Sequence, residues 1–168
     1  METRALVCAT LIMLVVVNTA QGQQPAAEGP PQASSTGVDR SGRVLRGHAT
    51  VFASHLAGQR MADRGRYEPD TSIAASSSLP LGSTARVTNL RNGQTALVRI
   101  RDGVPMANGR ILNVSAKVAQ FLGLRRGGVF PLTVAPLAVP QSDGSIQLGA
   151  GTGLAGRRAY VTGGHDRR

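Results

Sequence analysis

A small, mainly β barrel is the fold class this sequence predicts, and three observations predict it. Short segments alternate apolar and polar residues, an Asn-Gly pair separates two of them, and one brief helical pattern interrupts a glycine-rich run. Ser83 to Leu90 alternates, with Ala85 and Val87 on one face and Arg86 and Thr88 on the other. Asn92-Gly93 follows, a strong hairpin signal because both residues tolerate positive φ. The return strand Thr95 to Arg101 points Ala96, Val98 and Ile100 one way and Arg99 and Arg101 the other. Arg110 to Val114 and Val129 to Val134 read as further short strands. Between them a helix is predicted, with Ser115 as N-cap, Val118, Ala119 and Leu122 as its apolar stripe, and Gly123 as its stop.

The ends of the chain read differently. Arg4 precedes a thirteen-residue apolar run, Ala5 to Val17, and Ala20-Gln21-Gly22 offers small residues before Gln23. Residues 1–22 are therefore expected to be a secretory signal peptide, cleaved on export to the periplasm. Thirteen residues at about 1.5 Å each fall short of a bilayer's ~30 Å core. Cys8 lies inside the apolar run, so a lipoprotein is not expected, nor is stable membrane insertion once the leader is gone. Residues 23–46, rich in Gln, Pro, Ala and Ser, read as a flexible linker. The barrel is expected over 47–139, and residues 140–168 read as a Gly/Arg-rich tail without elements of its own.

The formal net charge is +10, carried by arginines apart from Lys117, and aromatics are 3% of the chain. This composition excludes a coiled coil, a disulfide scaffold and a large multi-domain enzyme. His48, His55 and His165 lack ligand spacing and have no cysteine partners, so neither a metal nor any other cofactor is expected. Gly149-Ala150-Gly151-Thr152-Gly153 has no Gly-Lys-Ser/Thr after it and no strand before it, which argues against a phosphate loop. Charge alone suggests nucleic acid, but Phe52, Tyr67, Phe121 and Phe130 are not grouped as a stacking platform.

Four segments carry a family resemblance. Gly47-His48-Ala49-Thr50-Val51-Phe52 stands where the family has Gly-x-Ala-Ser-Trp-Tyr. Leu79 to Leu90 with Asn92-Gly93 is similar almost residue for residue. Val98-Arg99-Ile100-Arg101-Asp102-Gly103-Val104-Pro105 resembles Val-Arg-Ile-Asn-Asp-Arg-Gly-Pro. Gly109-Arg110-Ile111-Leu112-Asn113-Val114-Ser115 resembles Gly-Arg-Ile-Ile-Asp-Leu-Ser. Together they resemble the double-psi β-barrel of the rare lipoprotein A (RlpA) family, bacterial peptidoglycan lytic transglycosylases. The resemblance implies a six-stranded barrel with one or two short helices. It also implies cleavage of glycan strands without water, the C6 hydroxyl attacking internally to leave an anhydro-muramic end.

That chemistry needs a carboxyl group to protonate the leaving oxygen and a base to take the hydroxyl proton. The family supplies a Glu, a His and an Asp. Carried over by position, the Glu falls on Gly65 and the His on Ser76, while the Asp is present as Asp102. Asn113 stands where the family has its second Asp. Asp63 or Glu68 is a candidate to replace the Glu, and His55 to replace the His. Two functions follow from the resemblance. One is an active transglycosylase using Asp102. The other is a degenerate peptidoglycan-binding module, in which Arg99, Arg101, Arg110 and Asn113 hold carboxylates and polar groups of the wall polymer.

Overall fold

The computed structural model describes residues 37–104 and 108–160. The expected leader, residues 23–36 of the linker, Pro105 and His165 lie outside the described residues. In chain order the elements are β1 (Leu45–Val51), β2 (Ile73–Ser76), β3 (Thr84–Asn89), β4 (Thr95–Gly103), β5 (Arg110–Val114), α1 (Ala116–Leu122), β6 (Phe130–Pro140), β7 (Ile146–Leu148) and β8 (Arg158–Ala159). The strands lie in the order β1-β5-β2-β4-β3-β6, and β6 pairs back onto β1 to close a six-stranded barrel. β1 with β5 and β2 with β4 run parallel, while the other barrel pairs are antiparallel. The mainly β barrel with one α-helix is thus the architecture found.

Alternation explains the wall. Ala85, Val87, Val98 and Ile100 point inward, and they meet Leu112, Val114, Leu132 and Val134 in one core. Asn89 is buried in the same row, and its Nδ2 donates to the Leu122 carbonyl at 2.8 Å, so the polar group is satisfied. Helix α1 closes this cluster with Val118, Ala119 and Leu122. Its start and stop have the expected chemistry. Ser115 Oγ accepts from the Val118 N–H, and Gly123 takes the left-handed conformation at φ 67°.

The hairpin differs in detail from the expectation. Its tip is four residues, 90–93, and among them only Gly93 has a positive φ, at 72°. Asn89 N–H donates to Gln94 C=O, and Gly93 N–H donates to Asn89 C=O, each at 2.9 Å. A single left-handed residue therefore suffices to turn the chain, and Asn92 uses its side chain instead, accepting from Gln94 N–H.

Two further features were not read from the sequence. β2 is buried at all four positions, because the outer side is covered by residues 52–67. Phe52, Met61 and Tyr67 pack there on Ile73 and Ala75, with the Phe52 and Tyr67 rings 4.6 Å apart. The first part of the expected tail also belongs to the sheet, since β7 pairs with β6 and β8 with β7. Gly149 permits this: a Cβ there would lie 2.3 Å from the Pro136 carbonyl oxygen. The same region grips the chain ahead of β1. Arg40 Nη1 donates to Pro140 C=O, Gln147 Nε2 to Ser41 C=O, and Ala150 N–H to Gly42 C=O.

Candidate functional site

The three positions singled out in sequence converge at one end of the barrel. Parallel pairing of β2 with β4 sets Ala75 beside Asp102 and Ser76 beside Gly103. The segment 61–65 then docks on β4. Asp63 N–H donates to Arg101 C=O, and Ala62 N–H donates to Asp102 Oδ1 at 3.1 Å. Beside them lies a groove of about 280 Å³, lined chiefly by Val38, Leu79, Pro80, Leu81, Val104 and Ser76.

These positions hold Gly65, Ser76 and Asp102. At Gly65, the Arg101 guanidinium lies across the glycine: a Cβ built there would be 1.9 Å from Arg101 Nη2. Arg101 is held in place by Asp63, with Nε 2.5 Å from Oδ2. Asp63 Oδ1 meanwhile accepts the Gly65 N–H at 2.9 Å. The guanidinium, aided by that N–H, holds the Asp63 carboxyl below the ordinary carboxylate range, and Asp63 in turn raises Arg101. An ion-paired carboxylate of lowered pKa is a poor proton donor. Asp63 is thus engaged by Arg101 and the Gly65 N–H.

Ser76 is buried and works as a turn cap. Its Oγ donates to Ile111 C=O and accepts from the N–H groups of Ser78 and Leu79. The other replacements are not brought in. Glu68 is exposed, its carbonyl closing a turn onto Thr71, and His55 sits exposed in the short helical turn Ser54–Leu56. Neither lines the groove.

Asp102 is half-buried near the end of β4, with Oδ1 accepting from Ala62 N–H and, at 2.9 Å, from Gly103 N–H. Asn113 is not its direct neighbour. Ala75 pairs with Asp102 on one side and with Asn113 on the other, so the two polar residues stand two strand spacings, roughly 10 Å, apart. Asn113 Oδ1 instead accepts from Thr50 Oγ1 at 3.3 Å. Of the predicted arginines, Arg101 is at the site. Arg99 is exposed on the outer face of β4, near enough to act on Asp63, and Arg110 begins β5 opposite His48. The apolar groove lining was missed in sequence, because Val38, Leu81 and Val104 come from three separate connections.

A family profile described as lytic transglycolase matches residues 44–134. The chain belongs to this family. Among its relatives, the "Probable endolytic peptidoglycan transglycosylase RlpA" of Synechocystis is 38% identical over 87 residues, covering 52% of this chain and 27% of that protein. The endolytic peptidoglycan transglycosylase RlpA of Neisseria meningitidis is 32% identical over 96 residues, 57% of this chain and 40% of its own. The chain thus spans well under half the length of these RlpA relatives. An expansin from Clavibacter michiganensis aligns with a TM-score of 0.45 at 20% identity, over 59% of this chain and 52% of that structure.

Proposed function

We propose that the chain is a periplasmic, peptidoglycan-acting member of the RlpA family that holds glycan strands in the groove beside Asp102 and cleaves them weakly or not at all. The observation that carries this reading is the Arg101 guanidinium lying over Gly65. A cation fixed by Asp63 stands where proton transfer would need a protonated carboxyl group, and Ser76 has no titratable group to act as base. The leader at 1–22 would deliver the chain and be removed before Gln23; its apolar run and small-residue site support this.

Binding follows from the parts that remain. Sugar rings present apolar C–H faces, which suit a groove walled by Val38, Leu79, Leu81 and Val104. Lactyl and peptide carboxylates of the polymer would meet Arg99, Arg110 and, on release from Asp63, Arg101. Asn113 adds a polar group two strands from Asp102, and Asp102 ties together Ala62 and Gly103, both of which line the groove.

Purified sacculi test both halves of the proposal. The wild type is expected to be retained on sacculi, and Arg99→Ala with Arg101→Ala should weaken retention, as should added salt. Mass spectrometry of the supernatant is expected to show few or no anhydro-muropeptides. The second reading, cleavage with Asp102 as the single acid/base, draws on the place of this carboxylate at the groove edge. Release of anhydro-muropeptides that Asp102→Asn abolishes would establish it and end the binding-module proposal. Gly65→Glu with Ser76→His restores the family's residues and should give partial cleavage, limited by loss of the Ser76 turn cap.

A further inference from the structure

The end of the barrel farthest from the groove has a character of its own. β3 and β4 run about 20 Å away from the groove to the tip at 90–93. There the tip meets the C-terminus of α1. Asn89 Nδ2 and Asn92 Nδ2 both donate to Leu122 C=O, while Leu90 N–H donates to Pro131 C=O. The turn at 125–128 packs against the same place, with Gly128 against the Phe130 ring and the Arg91 guanidinium 5.4 Å from that ring's centre. These contacts gather three large apolar side chains that remain in solvent: Phe121 is 59% exposed, and Leu90 and Val129 are each 49% exposed. Arg91 and Arg125 are exposed among them, and Arg126 follows, close enough to act on the Tyr67 hydroxyl.

No carboxylate balances this charge nearby in the chain. There is no Asp or Glu from 71 to 101 or from 103 to 142. Glu68 and Asp70 lie toward the other end of α1, where Pro69 C=O accepts the Lys117 N–H, about 10 Å along the helix axis. Asp70 acts on the Tyr67 hydroxyl as Arg126 does, so the cap's charge rests on Arg91 and Arg125.

We infer that this cap docks on an anionic phospholipid surface. Arginines interleaved with exposed Phe and Leu match a bilayer interface, where phosphates meet the guanidinium groups and acyl chains receive the apolar side chains. A soluble polyanion would satisfy the arginines and leave Phe121, Leu90 and Val129 in water. Docked in this way, the barrel keeps its groove turned away from the lipid. The inference is independent of what the groove binds.

Vesicle flotation tests it with the full chain, using phosphatidylcholine vesicles with and without 30% phosphatidylglycerol. The wild type should float markedly better with the anionic vesicles. Arg91→Gln with Arg125→Gln should cut that binding about 25-fold, at roughly fivefold per arginine. Phe121→Ser should cut it about tenfold with no change in charge. Residues 1–36 are common to all variants and cancel in the ratios. Phe121→Ser alters an exposed side chain and should leave the thermal melt nearly unchanged, while Arg91→Gln gives up its contact with the Phe130 ring and should lower the melt slightly. Cooperative melts in both confirm that the fold is kept. Equal flotation of wild type and variants would overturn the inference. So would a loss caused by the arginine changes but not by Phe121→Ser, together with retention on a DNA oligonucleotide, since that pattern marks a general polyanion site.

Discussion

Around the barrel wall, Val87, Ile100, Leu112 and Leu132 are at most 1% exposed and interlock across facing strands. Residues 52–67, laid over the outside of β2, are held by the buried Phe52, Met61 and Tyr67, by the partly buried Leu56, and by polar contacts. The wall answers for stability, because each side chain there fills space that no neighbour can fill. The covering segment shapes the candidate site, because the Asp63 side chain meets Arg101 and the Ala62 N–H meets Asp102. Residues can change in the second region at little cost to the first. Gly65 lies in the covering segment, so its side chain can change without disturbing the wall, whereas Ser76 lies in β2 itself and must satisfy the backbone groups around it.

The largest effect expected is in the wall. Leu112→Ala, opening a cavity in the closed core, should lower unfolding free energy by about 2–5 kcal/mol in urea titration. If the loss were below about 1 kcal/mol, wall and covering segment would not differ as described. Next comes Ser115, which caps α1 and also donates to Thr71 C=O, between the covering segment and β2. Ser115→Ala should cost about 1–2 kcal/mol by the same measurement.

Smaller effects lie in the covering segment. Gly65→Ala puts a methyl group where Arg101 now lies, so the guanidinium must leave Asp63. Stability should fall by about 1 kcal/mol or less. The Asp63 carboxyl, followed by NMR against pH, should titrate nearer the ordinary range. The smallest change is Asp63→Asn. In the wild type this carboxyl binds its proton less readily when folded, so its contribution is present above about pH 4 and is lost as pH falls. Between pH 6 and pH 3 the melting temperature of Asp63→Asn should therefore drop less than that of the wild type.

Helix α1 and the hairpin strands were legible because their signals are local. Ser115, the stripe Val118-Ala119-Leu122 and Gly123 specify start, face and stop within nine residues. β2 was not legible, since Ile73-Ala74-Ala75-Ser76 is buried on both sides and alternation vanishes there. At the site, the family positions could be mapped, and they do converge. That Arg101 would cover Gly65 was invisible, because it depends on a contact between residues 36 positions apart and on an ion pair with Asp63. β7 and β8, at three and two residues, are too short to show a period.

The grip of residues 140–150 on residues 40–42 has a consequence in time. Val38, a wall of the groove, sits just ahead of a stretch that Arg40, Ser41 and Gly42 fasten to Pro140, Gln147 and Ala150. On the ribosome, residue 38 emerges about a hundred residues before its clasp. Contacts at that separation form late, because the loop between them must close first. The groove is therefore among the last parts of the molecule to be completed, after the barrel has shut. A chain stopped before residue 140 would lack this clasp and hold that side of its groove by the Asp39 N–H to Ser78 C=O bond.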